Sequence, residues 1–140
     1  MAALKRIFLL SFVVPISLLA PAAAGMAPQA PVTKLRTAQF GAVLVTSKKK
    51  ALYYWNREKR AGGKIRCVGA CARAWPPLIV RSARLEPNVA GIRGRFATIR
   101  RPDGRYQVTF KGLPVYTYAH EGPRQVLCNN VNGWFVVRLR

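Results

Sequence analysis

Two tyrosine–glutamate pairs with equal spacing are the first residues in this sequence that suggest chemistry. Tyr53 precedes Glu58 by five residues, and Tyr116 precedes Glu121 by the same interval. Two such carboxyl groups could act as an acid–base pair on a glycosidic bond if they faced each other across a cleft. No feature of the sequence brings them together. We therefore expect both glutamates to form structural ion pairs, with the tyrosine hydroxyls at the rim as hydrogen-bond donors.

Other catalytic patterns are absent from the sequence. It contains no serine–histidine–aspartate order, no phosphate-binding loop and no zinc motif. His120 stands beside Glu121 in a predicted loop, and we expect an exposed turn residue there. We predict no catalytic residue, no enzymatic activity and no cofactor.

Three cysteines, Cys67, Cys71 and Cys128, are the remaining reactive side chains. In an exported chain they predict one disulfide and one thiol left over, and a pair that included Cys128 would join the two halves of the chain. Zinc accepts cysteine and histidine ligands, but an oxidising compartment and the spacing to His120 argue against a metal site. The spacing from Cys67 to Cys71 is one residue longer than a redox-active C-x-x-C motif, which makes disulfide exchange a weak hypothesis.

The N-terminal residues predict export. Lys5 and Arg6 precede an uncharged, mostly apolar run over residues 7–20, and Ala22–Ala24 offer the small residues that signal peptidases require. The run has 14 residues, whereas a membrane-spanning helix needs roughly 20. We predict a cleavable signal peptide over residues 1–24 and a periplasmic or extracellular protein without a stable membrane span. An uncleaved membrane anchor is the alternative.

The charge is strongly positive. The chain has 24 Lys and Arg against 4 Asp and Glu, and without residues 1–24 the 22 remaining cations leave a net charge of +18. An anionic partner would relieve the resulting self-repulsion. The cations spread from Lys34 to Arg140, so a solvated basic surface is the plain alternative. We expect this charge to favour adhesion to an anionic envelope polymer or lipid surface. A physiological nucleic-acid role is disfavoured, because export separates the protein from genomic DNA.

The elements that must position these residues are short strands with close turns, which indicate a mainly β fold. Pro102–Gly104 is a strong turn signal, because proline restricts one dihedral angle and glycine admits a positive one. One short helical turn is predicted near Cys67–Trp75, ended by Pro76 and Pro77. The predicted strands cover residues 42–46, 52–55, 96–101, 106–110, 113–118 and 134–137.

The two predicted hairpins also align with each other. Residues 43–58 shifted by 63 positions onto residues 106–121 give five identities in 16 positions, as an internal duplication would. We predict one small domain over residues 39–140, preceded by a flexible leader over residues 25–38. Two tandem β-hairpin repeats, over about 41–80 and 95–138, would form this domain.

Aromatic side chains of these strands are candidates for ligand binding. Side chains alternate along a strand, so Tyr53 and Trp55 share one face, as do Tyr116 and Tyr118. Aromatic rings interleaved with arginines can stack bases or sugars. Packing of a small β core is the simpler role for such rings. The side chains proposed to face a ligand are Trp55, Tyr118 and Trp134.

The segment Cys67–Pro77 has the form C-x-G-x-C-x-x-x-W-P-P and resembles the bacterial secreted-repeat family of predicted lipoproteins of unknown function. The resemblance extends over about 41–137 and also includes residues 101–104, 111–116 and 132–137. It implies an exported tandem-repeat protein with no known enzymatic activity, and a disulfide between Cys67 and Cys71. This sequence differs from the family in having glutamate at the acid of the Tyr-x4-Asp motif, no lipid-attachment cysteine, and an additional cysteine, Cys128.

These observations predict a non-enzymatic, exported binding or structural module that adheres to anionic polymers or surfaces. A small-ligand-binding or redox-linked periplasmic module, acting through the aromatic faces or the thiols, is the alternative. A hydrolase built on Glu58 and Glu121 is the third hypothesis.

Overall fold

The computed structural model describes residues 25–140, and the predicted signal peptide lies outside the described residues. The described part is a mainly β domain with several antiparallel sheets and two short helices, which confirms the predicted fold class. No helix among residues 25–140 has the length and apolar character needed to cross a membrane. In chain order the elements are β1 (Val32–Thr37), β2 (Gly41–Thr46), β3 (Tyr53–Trp55), α1 (Asn56–Arg60), α2 (Ala70–Ala74), β4 (Ile79–Val80), β5 (Phe96–Arg100), β6 (Tyr106–Phe110), β7 (Leu113–Pro114) and β8 (Trp134–Val136).

Strand β1 corrects the predicted flexible leader over residues 25–38. Its residues pair antiparallel with β2, from Val32 opposite Thr46 to Thr37 opposite Gly41. Lys34 and Arg36 are exposed while Leu35 between them is half-buried, the alternation of a strand with one solvated face. The neighbouring Ala- and Pro-rich residues obscured this short alternation in the sequence.

The first predicted hairpin forms around residues 47–50. The backbone N–H of Thr46 donates to Lys50 O at 2.8 Å, and that of Leu52 donates to Leu44 O at 3.0 Å. The chain then leaves this partner, because β3 pairs antiparallel with β8, with Tyr54 opposite Phe135. The hairpin prediction is therefore correct for the turn, but the long-range partner of β3 is β8.

The second predicted hairpin forms as expected. Strands β5 and β6 pair antiparallel with Phe96 opposite Phe110. Asp103 stabilises the intervening turn by accepting the backbone N–H of Arg105 at 3.0 Å. Lys111 and Gly112 then take φ angles of 50° and 78°, as a tight turn with two left-handed positions requires, and β7 returns along β6.

The two predicted repeats exchange strands with each other. Strand β4 of the first repeat pairs with β6 of the second, and β3 pairs with β8. Two buried clusters result. The first is aliphatic and contains Leu44, Leu52, Phe96, Val108 and Phe110 among others. The second contains Val43, Val45, Tyr53, Trp75, Tyr116 and Trp134 among others, so that both repeat tyrosines share one core.

The predicted helical turn is present as α2, which ends before Pro76, and Trp75 N–H donates to Cys71 O at 2.8 Å. Helix α1 was not predicted, because its five residues are polar apart from their aliphatic stems. Its only buried residue is Glu58. Long-range contacts of that carboxyl group hold this short segment in place.

Candidate functional site

The two repeat tyrosines meet at the centre of the domain. Tyr53 N–H donates to Tyr116 O at 2.8 Å, and Tyr116 N–H donates to Tyr53 O at 2.9 Å. Their side chains cross between the repeats, since Tyr53 Oη donates to Glu121 Oε2 at 2.7 Å and Tyr116 Oη donates to Glu58 Oε1 at 2.8 Å. Each hydroxyl therefore binds the acid of the other repeat.

Backbone amides add further donors to one oxygen of each carboxyl group. Glu58 Oε1 also accepts the N–H groups of Arg66 and Cys67, at 2.8 and 3.0 Å. Glu121 Oε2 accepts the N–H of Leu127 at 2.9 Å, and Cys128 N–H lies 3.4 Å from the hydroxyl oxygen of Tyr53. Cys128 thus takes the place in the second repeat that Cys67 takes in the first. The sequence alignment with a fixed shift of 63 positions does not pair Cys67 with Cys128, because the loops that follow Glu58 and Glu121 differ in length.

The prediction that Glu58 and Glu121 form structural ion pairs is wrong. Within residues 25–140 the ion pairs involve Asp103, with Arg105 at 2.8 Å and Arg101 at 3.8 Å. The tyrosine hydroxyls also lie in the core and not at a rim, since Tyr53 and Tyr116 are fully buried. Neutral O–H and N–H donors bind one oxygen of each buried carboxyl group without removing a second charge from water, which would be costly. The other oxygens, Glu58 Oε2 and Glu121 Oε1, are buried without a hydrogen-bond partner.

We call Tyr53, Glu58, Tyr116 and Glu121 the crossed motif. Electrostatics support a structural role for it. Burial raises the pKa of Glu121, and the hydrogen bond from Tyr53 opposes that rise. Burial and the neighbouring carboxylates raise the pKa of Tyr53 and of Tyr116 above the ordinary tyrosine value, so both hydroxyls remain donors. Glu58 and Glu121 are only 1 % and 4 % exposed. This burial does not support the hydrolase hypothesis, because a substrate would have to reach both carboxyl groups.

Four aromatic rings form a column beside the crossed motif. The rings of Trp75 and Trp134 stack with centroids 4.0 Å apart and an interplanar angle of 9°. Trp55 stacks on Trp134 at 5.2 Å, and Tyr118 packs on Trp75 at 4.7 Å. The column therefore runs Trp55–Trp134–Trp75–Tyr118 and alternates between the repeats.

Equivalent edge-on contacts join the column to the two repeat tyrosines. Tyr53 meets Trp75 edge-on at 5.4 Å, and Tyr116 meets Trp134 edge-on at 5.1 Å. Trp134 is only 3 % exposed, so the expectation that it faces a ligand is wrong: it fills the centre of the column. Trp55 is half-buried, as is Tyr118, and a ligand-facing role for these two remains a prediction.

A disulfide joins Cys67 and Cys71, as the family resemblance implied, with the Cα atoms 5.2 Å apart. Gly69 has a φ of 57°, which keeps this loop irregular, and α2 begins only at Ala70. Cys128 is a buried free thiol whose pKa is raised by burial and by Glu121. The alternative disulfide between Cys128 and either of the other cysteines is therefore wrong. Within residues 25–140 no group of three metal-ligating side chains occurs.

A buried arginine anchors the disulfide loop. Arg101 donates to Cys67 O at 2.7 Å and to Gln107 Oε1 at 2.6 Å. Gln107 in turn donates to Val115 O at 3.0 Å. In the sequence Arg101 cannot be told from the surface cations, since no local pattern shows that its guanidinium points inward.

The opposite face of the β3–β8 pair carries a cleft of about 460 Å³. Tyr54 and Phe135 stack there at 5.8 Å. Four cationic residues line the cleft, and no aspartate or glutamate does. We call this site the cationic cleft; its cations are Lys59, Lys111, Arg138 and Arg140.

Local contacts place the two lysines over aromatic rings of the cleft, whereas the guanidinium of Arg138 lies over the ring of Phe40, which is not part of the lining. Lys59 Nζ lies 5.5 Å from the ring centroid of Tyr54, and Lys111 Nζ lies 5.4 Å from that of Phe110. Asn129 Oδ1 accepts the N–H of Val136 at 3.2 Å, which leaves the amide NH2 of Asn129 as a donor at the cleft wall. No sequence motif predicts this site. The only local signal was the alternation that turns Tyr54 and Phe135 away from Tyr53 and Trp134.

Comparison with known families gives one result for the first repeat. Residues 34–79 match the family model Lipoprotein_15, described as a secreted repeat of unknown function. No curated protein and no solved structure matches the chain. The family description implies export, and no enzymatic family is evident. The matched segment includes part of β1, the acid Glu58 and the disulfide loop, and this part of the chain is similar to a secreted repeat of unknown function.

Proposed function

We propose that this domain is a non-enzymatic binding module that acts outside the cytoplasm and holds anionic polymers in the cationic cleft. One observation carries the proposal. The cleft joins an aromatic floor to four cationic side chains and has no acidic residue in its lining.

The electrostatic field favours anions at this site. A chain with a net charge of +20 attracts anions over its whole surface. A cleft with low-dielectric walls concentrates that field more than a flat surface does. Lysines contribute compact, hydrated charges, whereas arginines present a planar fork that matches carboxylate and phosphate groups. Lys59, Lys111, Arg138 and Arg140 combine both kinds of cation in one cleft.

A small anionic ligand is the second candidate. The volume of about 460 Å³ lies within the range of roughly 300–1,000 Å³ typical of small-molecule sites. Such a ligand would quench the tyrosine emission saturably, with little dependence on salt. A polymer contact instead makes the logarithm of the binding constant fall linearly with the logarithm of salt concentration.

Binding of the purified domain to DNA, an acidic polysaccharide and anionic lipid vesicles across a salt series tests the proposal. The cleft variant K59Q/K111Q/R138Q/R140Q is compared with the control variant K48Q/K64Q/R81Q/R93Q. The control also removes two lysines and two arginines, all of them exposed. Both variants therefore have the same net charge.

We expect the cleft variant alone to lose most of its polymer affinity. Its salt slope should fall by about 3, because each lost ion contact to a single-stranded polyanion changes the slope by roughly 0.7. Equal losses in the two quadruple variants would mean that charge alone governs adhesion, and the assignment to the cleft would be overturned.

A further inference from the structure

A second cationic surface lies on the other side of α1. Arg57, Arg60 and Arg66 surround a shallow depression next to Ala61, and all three arginines are exposed. We call these three residues the arginine patch. Lys59 of the same helix lines the cationic cleft, so α1 contributes residues to both surfaces.

The buried carboxyl group of Glu58 determines which way the helix presents these cations. Glu58 points into the core and is held there by Tyr116 Oη at 2.8 Å. At 3.6 residues per turn, Arg57 and Arg60 lie on one side of Glu58 and Lys59 lies on the other. The hydrogen bond that orients Glu58 therefore also directs cations toward both surfaces.

Consecutive aromatic residues of β3 repeat this two-sided arrangement. Tyr54 has Lys59 Nζ at 5.5 Å from its ring centroid, and Trp55 has Arg57 Cζ at 5.3 Å. Glu58 is the only acidic residue between Gly41 and Leu85, and it is buried. No exposed carboxylate from this segment therefore interrupts the positive surface around α1.

We infer that the cationic cleft and the arginine patch form one continuous binding track across α1, and that its ligand is a linear acidic polysaccharide long enough to occupy both. This inference rests on the proposed function. Occupation of two linked sites by one chain raises affinity through effective concentration, without any new contact.

The residues in the cleft favour a sugar chain. Tyr54 and Phe135 line the cleft with partly exposed aromatic rings against which sugar rings can pack, and the side chains of Asn129 and Asn130 offer amide groups to hydroxyls. The arginine patch adds planar donors that suit the carboxylates of an acidic sugar.

A length series of oligogalacturonates tests the track, measured by calorimetry with a monomer, a tetramer and a dodecamer. The patch variant R57Q/R60Q/R66Q is compared with R81Q/R84Q/R93Q, which removes three other exposed arginines. Thermal unfolding of each variant verifies the fold. The backbone N–H of Arg66 that binds Glu58 is retained in glutamine.

We expect the patch variant to bind the dodecamer at least tenfold more weakly than the control, with no change for the tetramer. The cleft variant should bind both oligomers more weakly. If the patch variant and its control bind the dodecamer equally, the track is overturned, while loss of binding in the cleft variant would still support the proposed function. Failure of the cleft variant to change binding would overturn both.

A polyphosphate of matched length is the last ligand in the binding series. We expect it to bind more weakly than the dodecamer, because it has no sugar ring to stack on Tyr54 and Phe135. Equal affinity of the two polymers, with the same loss in the patch variant, would overturn the assignment to a polysaccharide.

Discussion

The hydroxyl of Tyr53 binds the carboxylate of Glu121, 68 residues further along the chain, and not that of Glu58 in its own repeat. In the same way, the hydroxyl of Tyr116 donates a hydrogen bond to the carboxylate of Glu58. The two copies of the motif are thus completed only by each other. This crossing makes the pair of repeats, and not the single repeat, the unit that supplies a hydroxyl donor to each buried carboxyl group.

A double-mutant cycle tests the crossed pairing. Y53F should leave Glu121 with fewer donors, and such a loss costs about 1–3 kcal/mol at a buried site. Combined with E121Q, the two changes should be strongly non-additive in urea denaturation, because both alter the hydrogen bond between Tyr53 and Glu121. Y53F combined with E58Q is the control and should be additive within about 0.5 kcal/mol. Coupling of Tyr53 to Glu58 in place of Glu121 would contradict the crossed arrangement.

The pH dependence of stability should report the burial of Glu121. Because its pKa is raised in the folded state, the folded protein holds this proton more tightly than the unfolded chain does. The contribution to stability is therefore full below the ordinary glutamate pKa and is lost as pH rises through the raised value. E121Q should remove this loss in denaturation curves measured between about pH 4 and pH 8.

Asp103 provides a control of opposite sign for that experiment. Arg105 lowers the pKa of Asp103, so its contribution is present above the ordinary aspartate pKa and is lost as pH falls through the lowered value. D103N should therefore change only the acid side of the profile. A profile of E121Q identical to that of the unmodified protein would contradict the raised pKa of Glu121.

The aromatic column should contribute unequally along its length. Trp75 is buried and contacts Tyr53, Trp134 and Tyr118, so W75A should lower the free energy of unfolding by about 3–5 kcal/mol. W55A removes a half-buried ring from the end of the column and should cost clearly less. Chemical denaturation measures both changes, and equal costs would show that the centre of the column is not the better-packed part.

Thiol labelling tests the cysteine assignment. Cys128 is a free thiol and is 8 % exposed, so the native protein should react slowly with a maleimide reagent. In denaturant without reductant, mass spectrometry should find one label per chain, and after reduction it should find three, since the chain has three cysteines. C128A should remove the single label. No label in denaturant without reductant would mean that Cys128 is paired.

Local chemistry accounts for the elements that the sequence predicts correctly. Pro102–Gly104 and Lys111–Gly112 specify their turns through the backbone preferences of proline and glycine. Pro76 ends α2 for the same kind of reason. Strand alternation predicts β6 and β8, and the resemblance of Cys67–Pro77 to the secreted repeat supplies the disulfide. The export signal remains a prediction from the first 24 residues.

Long-range packing accounts for the rest, because the interacting groups are far apart in the chain and carry no local mark of their partners. The alternation of Tyr53, Tyr54 and Trp55 places their side chains on two faces, but the pairing of β3 with β8 decides which face becomes core and which becomes cleft. The same long-range contacts bury Arg101 among other cations that remain exposed, and send each tyrosine to the glutamate of the other repeat. Sequence alone thus yields the repeat and its turns, whereas the crossed motif and the cationic cleft arise only when the two repeats fold together.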